Sequence, residues 1–272
     1  MLIIRKQLAD LKAYLYNDID KKIVTERKTN MIRIDKFLSQ MQVATRSESK
    51  KLIKMKRITK NGALVTDGGE KCDPQKDCIC LDGHPIAYQE YHYLMLHKPA
   101  GCVTATEDRR DKTVMDYLPD NLRRGGLSPV GRLDKDTEGL LLITDDGALN
   151  HSLLAPGRHV PKTYYARIHG IVTEADITAF KNGLDIGEKK MTAPAALKIL
   201  HIAENEQTSE ILVTITEGKF HQVKRMFQSV GKKVSYLKRL SMGSLHLDEK
   251  LSPGAWRELT LEEITKLKEE TT

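Results

Sequence analysis

Residues 131 to 142 read Gly-Arg-Leu-Asp-Lys-Asp-Thr-Glu-Gly-Leu-Leu-Leu, a dense run of charges that passes directly into a run of leucines. The aliphatic run from Leu140 to Ile143 predicts a buried strand. Asp134 precedes that strand and lies between Arg132 and Lys135. Neighbouring cations favour the ionised form of a carboxyl group, and an ionised, fixed carboxylate can act as a nucleophile or a base. Asp134 is therefore a candidate catalytic residue at the start of a buried strand.

Two other interpretations of this stretch stay open on the pattern alone. It matches a calcium-binding loop at the first, third, fifth, sixth and twelfth positions, which here are Asp134, Asp136, Glu138, Gly139 and Asp145. The preceding residues 127–131 cannot form the helix that should enter such a loop, and the twelfth residue is Asp where Glu is usual. The second alternative is a charged turn that only precedes a strand.

The composition of the 272-residue chain is that of a globular protein of one large or two modest domains. Apolar residues make up 40% and charged residues 30%, which excludes a disordered or fibrous protein. The aliphatic runs are far too short to span a membrane, and residues 1–6 contain no secretory signal core. Four cysteines in such a chain indicate the reducing cytoplasm. We therefore expect a cytoplasmic protein without a membrane segment.

Basic residues are concentrated in two blocks. Residues 31–60 hold nine basic and two acidic residues, an excess that equals the net charge of +7 of the whole chain. Residues 217–239 hold seven basic residues and one acid. Two such blocks on a nearly neutral background indicate binding to a polyanion such as RNA, although a solvated helix face would look the same in the sequence.

The first block predicts a small domain of two helices and short strands over residues 31–89. Ile34, Phe37, Leu38 and Met41 recur at the spacing of one helix face. Thr45 and Glu48 form the pattern of a capping box that opens a second helix. The turn pairs Asn61-Gly62 and Asp82-Gly83 predict hairpins after it. Residues 1–30 precede this domain, and we expect them to be a dispensable or non-native leader.

This domain resembles the alpha-L RNA-binding domain of a ribosomal small-subunit protein and of several RNA-modifying enzymes. The resemblance rests on residues 34–38, 45–47 and 57–62. In that family, the second helix and the turn after it grip folded RNA. The resemblance implies RNA contacts from Arg46, Lys50, Lys51, Lys54 and Arg57.

Residues 90–272 predict a larger domain in which strands alternate irregularly with helices. Tyr164, Ala166 and Ile168 alternate with polar or exposed positions, as in a half-buried strand. Thr173 and Gly183 bracket a predicted helix, and residues 221–230 predict another. The fold class that we expect is therefore α+β: a small RNA-binding domain, then a mixed, mainly antiparallel sheet with peripheral helices.

Four segments of this larger domain are similar, in order, to the motifs of pseudouridine synthases. They are residues 131–142, Lys162-Thr163-Tyr164, the segment Glu217 to Phe227, and Leu237 to Arg239 with Leu245 to Asp248. The alpha-L domain in front and the sequence His-Gln-Val-Lys-Arg-Met-Phe in the third segment fit the RsuA-type branch, which modifies small-subunit (16S) ribosomal RNA.

The resemblance implies a role for each matching residue. Asp134 corresponds to the essential nucleophile, and Tyr164 to the aromatic residue that stacks on the target uracil. Lys224 corresponds to the basic partner of the carboxylate, although many relatives have Arg there, which can form a planar two-toothed pair that Lys cannot. Arg132 would help to hold the flipped nucleotide. Basic residues of the third segment would contact RNA, namely Lys219, His221 and Arg225.

Isomerising uridine needs no redox step and no second substrate, so we expect neither a cofactor nor a metal. The three cysteines Cys72, Cys78 and Cys80 lack the Cys-x-x-Cys spacing of zinc sites. For His221, a phosphate contact or a helix cap is favoured over a general acid.

The expected function is the isomerisation of one uridine in 16S ribosomal RNA, within a small-subunit assembly particle, by a monomeric enzyme. Two alternatives remain at this point: a synthase for large-subunit (23S) ribosomal RNA, and a non-catalytic RNA-binding assembly factor with the same fold.

Overall fold

The computed structural model describes residues 31–41, 43–123 and 126–271, so the predicted leader of residues 1–30 lies outside the described part. The chain divides into two compact units between Tyr88 and Gln89. Both units combine helices with sheets, which confirms the predicted α+β class. None of the helices within the described ranges combines the length and the apolar composition that a bilayer crossing requires.

The N-terminal unit packs two helices against short strands. Its elements are β1 (Ile32–Arg33), α1 (Ile34–Gln40), α2 (Arg46–Lys54), β2 (Ile58–Lys60), β3 (Ala63–Leu64), β4 (Lys71–Cys72), β5 (Ile79–Leu81) and β6 (His84–Pro85). Helix α2 begins with the predicted capping box, in which the Thr45 side chain accepts from Glu48 N and the Glu48 side chain accepts from Thr45 N. Asn61 and Gly62 both have positive φ in the hairpin between β2 and β3, as the turn prediction requires.

The C-terminal unit is built on a mixed sheet of nine described strands. They are β7 (Tyr93–Lys98), β8 (Ser128–Pro129), β9 (Glu138–Thr144), β10 (Lys162–His169), β11 (Ala196–Ala203), β12 (Thr208–Ile215), β13 (Lys233–Met242), β14 (Leu245–His246) and β15 (Trp256–Glu258). The order is β11-β12-β10-β13-β9-β7-β15, with β14 on β13 and β8 on β9. Among the pairs in this described sheet, β9 with β13 is parallel and the rest are antiparallel, which confirms the predicted mixed, mainly antiparallel sheet.

Helices cover the sheet unequally. The unit contains α3 (Asp120–Arg123), α4 (Gly147–Leu154), α5 (Glu174–Asn182), α6 (Gln222–Ser229) and α7 (Leu261–Glu270). Helices α5 and α6 cover one face of strands β10 to β13, where Phe180 and Phe227 meet with ring centroids 4.8 Å apart. Side chains from α4 and α7 join the core over β7 and β9. The residues before β9 therefore reach the sheet at its centre, beside the N-terminus of α6.

One glycine makes the central parallel pair possible. Gly139 has φ +108° and lies opposite Arg239 in the register of β9 with β13. A Cβ at this position would lie 2.2 Å from the carbonyl oxygen of Arg239. No larger residue fits so close an approach of two backbones.

Candidate active site

Asp134 lies in the loop that joins β8 to β9, and a buried lysine fixes this loop. The Nζ atom of Lys98, at the end of β7, donates to the carbonyl oxygens of Asp134 and Thr137 at 3.0 and 2.9 Å. The Lys98 side chain is fully buried, and burial lowers the pKa of its ammonium group. The Thr104 hydroxyl group holds the other side of the loop, since it donates to the carbonyl oxygen of Leu133 and accepts from the backbone N of Leu133. The backbone around Asp134 is thus held by groups from two other segments.

The Asp134 carboxylate faces the first turn of α6. Lys224 Nζ lies 2.9 Å from Asp134 Oδ2 and 2.6 Å from Asp136 Oδ1, so one ammonium group bridges two carboxylates. His221 Nε2 lies 3.5 Å from the other Asp134 oxygen, Oδ1. The structure therefore brings together Asp134 and Lys224, which are 90 positions apart in the sequence.

The bridging geometry shows how a lysine can serve as the partner of Asp134. Burial would lower the pKa of Lys224, but its hydrogen bonds to Asp136 and Asp134 outweigh burial and raise it. Burial would raise the pKa of Asp136, but its hydrogen bond to Lys224 and the charge of that lysine, with smaller contributions from nearby groups, together lower it. A compact ammonium group with three donors can serve two carboxylates at different angles, which makes a planar pair unnecessary. Asp136 was not among the predicted site residues.

Tyr164 is buried, whereas Arg132 is exposed to solvent. Tyr164 is 7% exposed and belongs to the same hydrophobic cluster as Leu133, the residue before Asp134. Its ring therefore lies on the face of the sheet that carries the Asp134 loop. Arg132 is exposed, and no hydrogen bond or ion pair joins it to a residue within the described ranges.

The side chains of the second basic block that are predicted to contact RNA mostly bind groups of this chain. Lys219 Nζ donates to the carbonyl oxygens of Lys190 and Met191 at 3.1 and 3.0 Å. Arg225 donates to Glu188, to the carbonyl oxygen of Phe220 and to that of Ile186. These two side chains fasten the segment before α6 to the loop of residues 186–191. Whether they also contact RNA stays a prediction.

Of the two roles expected for His221, the structure does not support the helix cap, and the phosphate contact stays a prediction. His221 precedes α6 but adopts the left-handed conformation with φ +49°, and its side chain makes no capping hydrogen bond. Its ring instead stacks on Phe220, with centroids 3.8 Å apart, and points Nε2 at Asp134. Sequence patterns place a helix start but do not reveal a left-handed residue at a position that is not glycine.

The basic side chains on helix α2 of the first block differ from those of the second block. Arg46, Lys50, Lys51 and Lys54 are exposed on α2, and no hydrogen bond or ion pair joins their side chains to residues in the described segments. Arg57 is the exception among the predicted contacts of this domain, since its guanidinium group binds the Asp82 carboxylate.

The carboxylates of the calcium-loop pattern do not converge. Asp134 and Asp136 bind Lys224, whereas Glu138 is the first residue of β9 and accepts a hydrogen bond from Tyr236 at 2.6 Å. Asp145 accepts from the backbone N of His92. Within the described ranges, no group of three His, Cys, Asp or Glu side chains is arranged to hold a metal ion. The calcium interpretation therefore has no geometric support.

Sequence reasoning missed two buried cations near the site. Besides Lys98, Arg239 is 2% exposed and donates from Nε to the carbonyl oxygen of Leu140 at 2.8 Å. One signal was available for Lys98: it is a lysine that ends an apolar strand run, followed by Pro99-Ala100-Gly101. For Arg239, the alternation of β13 around Leu237 would have placed it inward.

Comparisons with known proteins agree with this arrangement. Residues 92–229 match the family described as RNA pseudouridylate synthase, and residues 32–77 match the S4 domain. The chain is 43% identical to a Bacillus subtilis (strain 168) protein described as an uncharacterized RNA pseudouridine synthase, over 88% of this chain and 99% of the relative. The chain belongs to the RNA pseudouridine synthase family.

Two further similarities are to other pseudouridine synthases. The synthase is 37% identical to the Escherichia coli (strain K12) protein named ribosomal small subunit pseudouridine synthase A, over 87% of this chain and the whole relative. A crystal structure described as a pseudouridylate synthase matches with a TM-score of 0.61 and 38% identity, covering 87% of this chain and 99% of that one. The chain is therefore a pseudouridine synthase that acts on RNA and carries an RNA-binding S4 domain, with relatives of the RsuA type.

Proposed function

We propose that this synthase isomerises one uridine of small-subunit (16S) ribosomal RNA to pseudouridine, with Asp134 as its catalytic carboxylate. The observation that carries the proposal is the Asp134 side chain, which is only 27% exposed and is bound by Lys224 in a loop that Lys98 and Thr104 fix. The names of the relatives that act on the ribosomal small subunit support this choice of RNA.

The reaction can be written with this one carboxylate. Asp134 attacks C1′ of the ribose as the bond from C1′ to N1 of uracil breaks. The uracil then turns within the site, its C5 bonds to C1′, and Asp134 leaves with its electron pair. The proton from C5 is lost, and N1 gains one. In the alternative, Asp134 removes the proton from C2′ of the ribose as the bond from C1′ to N1 breaks, which leaves a double bond between C1′ and C2′. Asp134 then returns the proton to C2′ while C5 of the turned uracil bonds to C1′, and the C5 proton is lost as N1 gains one.

The cations around Asp134 support the nucleophile's role. Lys224 is charged at neutral pH, as its raised pKa also requires, and it fixes one carboxylate oxygen at 2.9 Å. Among the described residues, the other oxygen, Oδ1, is paired only with the histidine at 3.5 Å, which leaves it available to a sugar carbon. A fixed carboxylate needs little reorganisation when charge shifts during the reaction.

The target base must leave its helix before it can reach Asp134. Extruding a base costs a few kcal/mol in lost stacking and pairing, which contacts in the site have to offset. We propose that Tyr164 stacks on the uracil, since its ring lies on the same face of the sheet as the Asp134 loop. Arg132 is exposed in that same loop and would contact the phosphate of the extruded nucleotide.

Docking of the larger RNA belongs to the S4 domain in this proposal. Arg46, Lys50, Lys51 and Lys54 on α2 are exposed, and within the described residues none of their side chains forms a hydrogen bond or an ion pair. The proposed substrate is 16S ribosomal RNA in a small-subunit assembly particle, and the proposed active form is a monomer.

Mapping pseudouridines in ribosomal RNA tests this function. The positions would be compared in the parent strain, in a strain lacking this gene, and in that strain with the gene restored. Loss and recovery of one pseudouridine in 16S RNA is the expected result. Loss of a position in 23S RNA would instead show a large-subunit enzyme. No change at any position would favour a non-catalytic assembly factor.

A further inference from the structure

Phe220 is the most exposed large apolar side chain in the described ranges, at 69%. A single apolar residue on a surface is ordinary and needs no functional explanation. What sets Phe220 apart is its position. Its ring stacks on His221 with an interplanar angle of 19°, and His221 Nε2 lies 3.5 Å from Asp134 Oδ1. Only one side chain therefore separates this exposed ring from the catalytic carboxylate.

The backbone that presents Phe220 is fixed rather than loose. Arg225 donates to the carbonyl oxygen of Phe220 at 3.1 Å, and Gln222 Oε1 accepts from the backbone N of Lys219 at 2.9 Å. His221 takes a left-handed conformation, with φ +49°, that costs energy for a residue other than glycine. These contacts fix a turn that holds the Phe220 ring in solvent, one side chain away from Asp134.

A basic groove includes the residue that precedes this ring in the chain. A cavity of about 580 Å³ is lined by Gly187, Glu188, Lys189, Lys190 and Lys219. The Lys189 and Lys190 residues are exposed, and neither ammonium group is bound to another residue in the described ranges. Lys219 belongs to both features, since it lines the groove and precedes Phe220 in the chain. Exposed lysines beside an exposed aromatic ring are the combination that binds single-stranded RNA, because phosphates meet the cations while a base stacks on the ring.

We propose that Phe220 is a positioning residue that stacks on the base next to the target uridine once that uridine has left the helix. The strand that carries this neighbouring base would run along the groove, with its phosphates at Lys189 and Lys190. Extrusion leaves the neighbouring base without a stacking partner on one side, and the Phe220 ring replaces that partner. The inference rests on the proposed function and adds to it a residue that selects the extruded state of the RNA.

The test uses the full-length protein and a short synthetic RNA that spans the mapped uridine. Three versions of the RNA are needed: the natural sequence, one that lacks the base on the 5′ side of the uridine, and one that lacks the base on the 3′ side. Single-turnover rates of pseudouridine formation are measured for wild type, Phe220→Ala and Phe220→Trp. Leu200→Ala is the matched control, since Leu200 is 45% exposed on β11, away from Asp134.

On the natural RNA, Phe220→Ala should slow the reaction about tenfold to a hundredfold, as loss of one base–aromatic stack predicts. Phe220→Trp should keep most of the rate, and Leu200→Ala all of it. On one of the two shortened RNAs, the difference between wild type and Phe220→Ala should vanish, because the stacking partner is already gone. That RNA identifies the side on which Phe220 stacks.

Two results would overturn the inference while leaving the proposed function intact. One is a Phe220→Ala rate within about twofold of wild type on the natural RNA, well below the effect of a lost stack. The other is an equal loss of rate in Phe220→Ala on all three RNAs, which would make Phe220 a structural residue of the loop. If wild type forms no pseudouridine in any ribosomal RNA, the proposed function itself fails, and this inference fails with it.

Discussion

The two basic blocks look alike in the sequence, but the structure places many of their side chains in different surroundings. On helix α2 of the S4 domain, Lys50, Lys51 and Lys54 extend into solvent without a partner among the described residues. In the block of residues 217–239, five of the seven basic side chains bind other groups of this chain. These five are Lys219, Lys224, Arg225, Lys232 and Arg239.

The difference lies in what surrounds each cation rather than in the number of cations. A lysine in solvent keeps its full capacity to neutralise a phosphate and release counterions. A lysine already bound to a carboxylate or to carbonyl oxygens would have to give up that contact first. We therefore expect the first block to supply RNA affinity, and the second to supply structure and the chemistry at Asp134.

Lys224 should show the largest effect, because it serves the reacting carboxylate. Lys224→Met should lower the single-turnover rate about a hundredfold, comparable to the loss of one electrostatic contact in an active site. Lys224→Arg should retain much more activity because the charge remains. RNA affinity should change little in either variant.

The pH range over which Lys224 contributes to the rate follows from the shifted pKa values of Lys224 and Asp136. The pKa of Lys224 is raised above its ordinary 10.5, so the contribution persists at low and neutral pH and is lost as pH rises through the raised value. The pKa of Asp136 is lowered below its ordinary 3.8, so its part is lost only as pH falls through that lower value. The advantage of wild type over Lys224→Met should therefore be constant from pH 6 to 8. An equal rate for the two proteins would make Lys224 another surface cation.

Lys232 tests whether a bound cation of the second block is structural. Its Nζ lies 2.8 Å from Asp176 Oδ1, and the two side chains are 15% and 8% exposed. Lys232→Met leaves the buried carboxylate without its cation and should cost about 3 kcal/mol in the free energy of unfolding. The neighbouring Lys233 is exposed and offers a matched control. Urea unfolding should separate the two variants, and a weaker RNA affinity at unchanged stability would contradict the assignment.

The three solvated lysines of α2 should affect binding and not chemistry. Replacing Lys50, Lys51 and Lys54 by Gln should reduce the slope of log affinity against log salt by about two to three units. The single-turnover rate at saturating enzyme should stay that of wild type. The control replaces Lys181, Lys198 and Lys250, which are exposed outside both blocks. An equal change of slope in both triple variants would mean that only net charge matters.

His97 should show the smallest effect, and only in stability. Burial lowers its pKa below the ordinary 6.5, its Nδ1 donates to the carbonyl oxygen of Leu251, and its buried Nε2 has no partner among the described residues. A lowered histidine pKa means that the unfolded chain binds the proton first, so stability should fall as pH drops below about 6.5.

In urea unfolding at pH 7, 6 and 5, His97→Asn should show a smaller loss of stability than wild type. The asparagine amide can still donate to the Leu251 carbonyl oxygen, but it does not titrate. His201→Asn, at an exposed position, should behave like wild type. Identical pH dependence in all three proteins would rule out His97 as the cause.

Local features of the fold could be predicted because their causes are local. The capping box of Thr45 and Glu48 and the turn at Asn61-Gly62 depend on residues within one turn of the chain. The buried strand after Asp134 follows from its own apolar run. The same holds for helix α5, which follows Thr173 and ends before Gly183, a residue with φ +83°.

The site could be predicted only in part, because its contacts are distant in sequence. Only the family resemblance paired Lys224 with Asp134, and nothing in the pattern indicated that Asp136 shares the same ammonium group. Lys98 and Arg239 belong to a residue type that is almost never fully buried, and the carbonyl oxygens that satisfy them come from other segments. Charge counts therefore located the cations of the second block but not their partners.

Asp134→Asn tests the central claim most directly. The substitution keeps the size of the side chain and removes only the ionised oxygen that the reaction needs, while Lys224 keeps its contact with Asp136. Pseudouridine yield in a single turnover and the dissociation constant for the same 16S RNA would be measured side by side. We predict no detectable product and a dissociation constant within about threefold of wild type, since uncharged Asn cannot act as nucleophile or base. A rate within about tenfold of wild type, far above what loss of an essential nucleophile allows, would contradict the account.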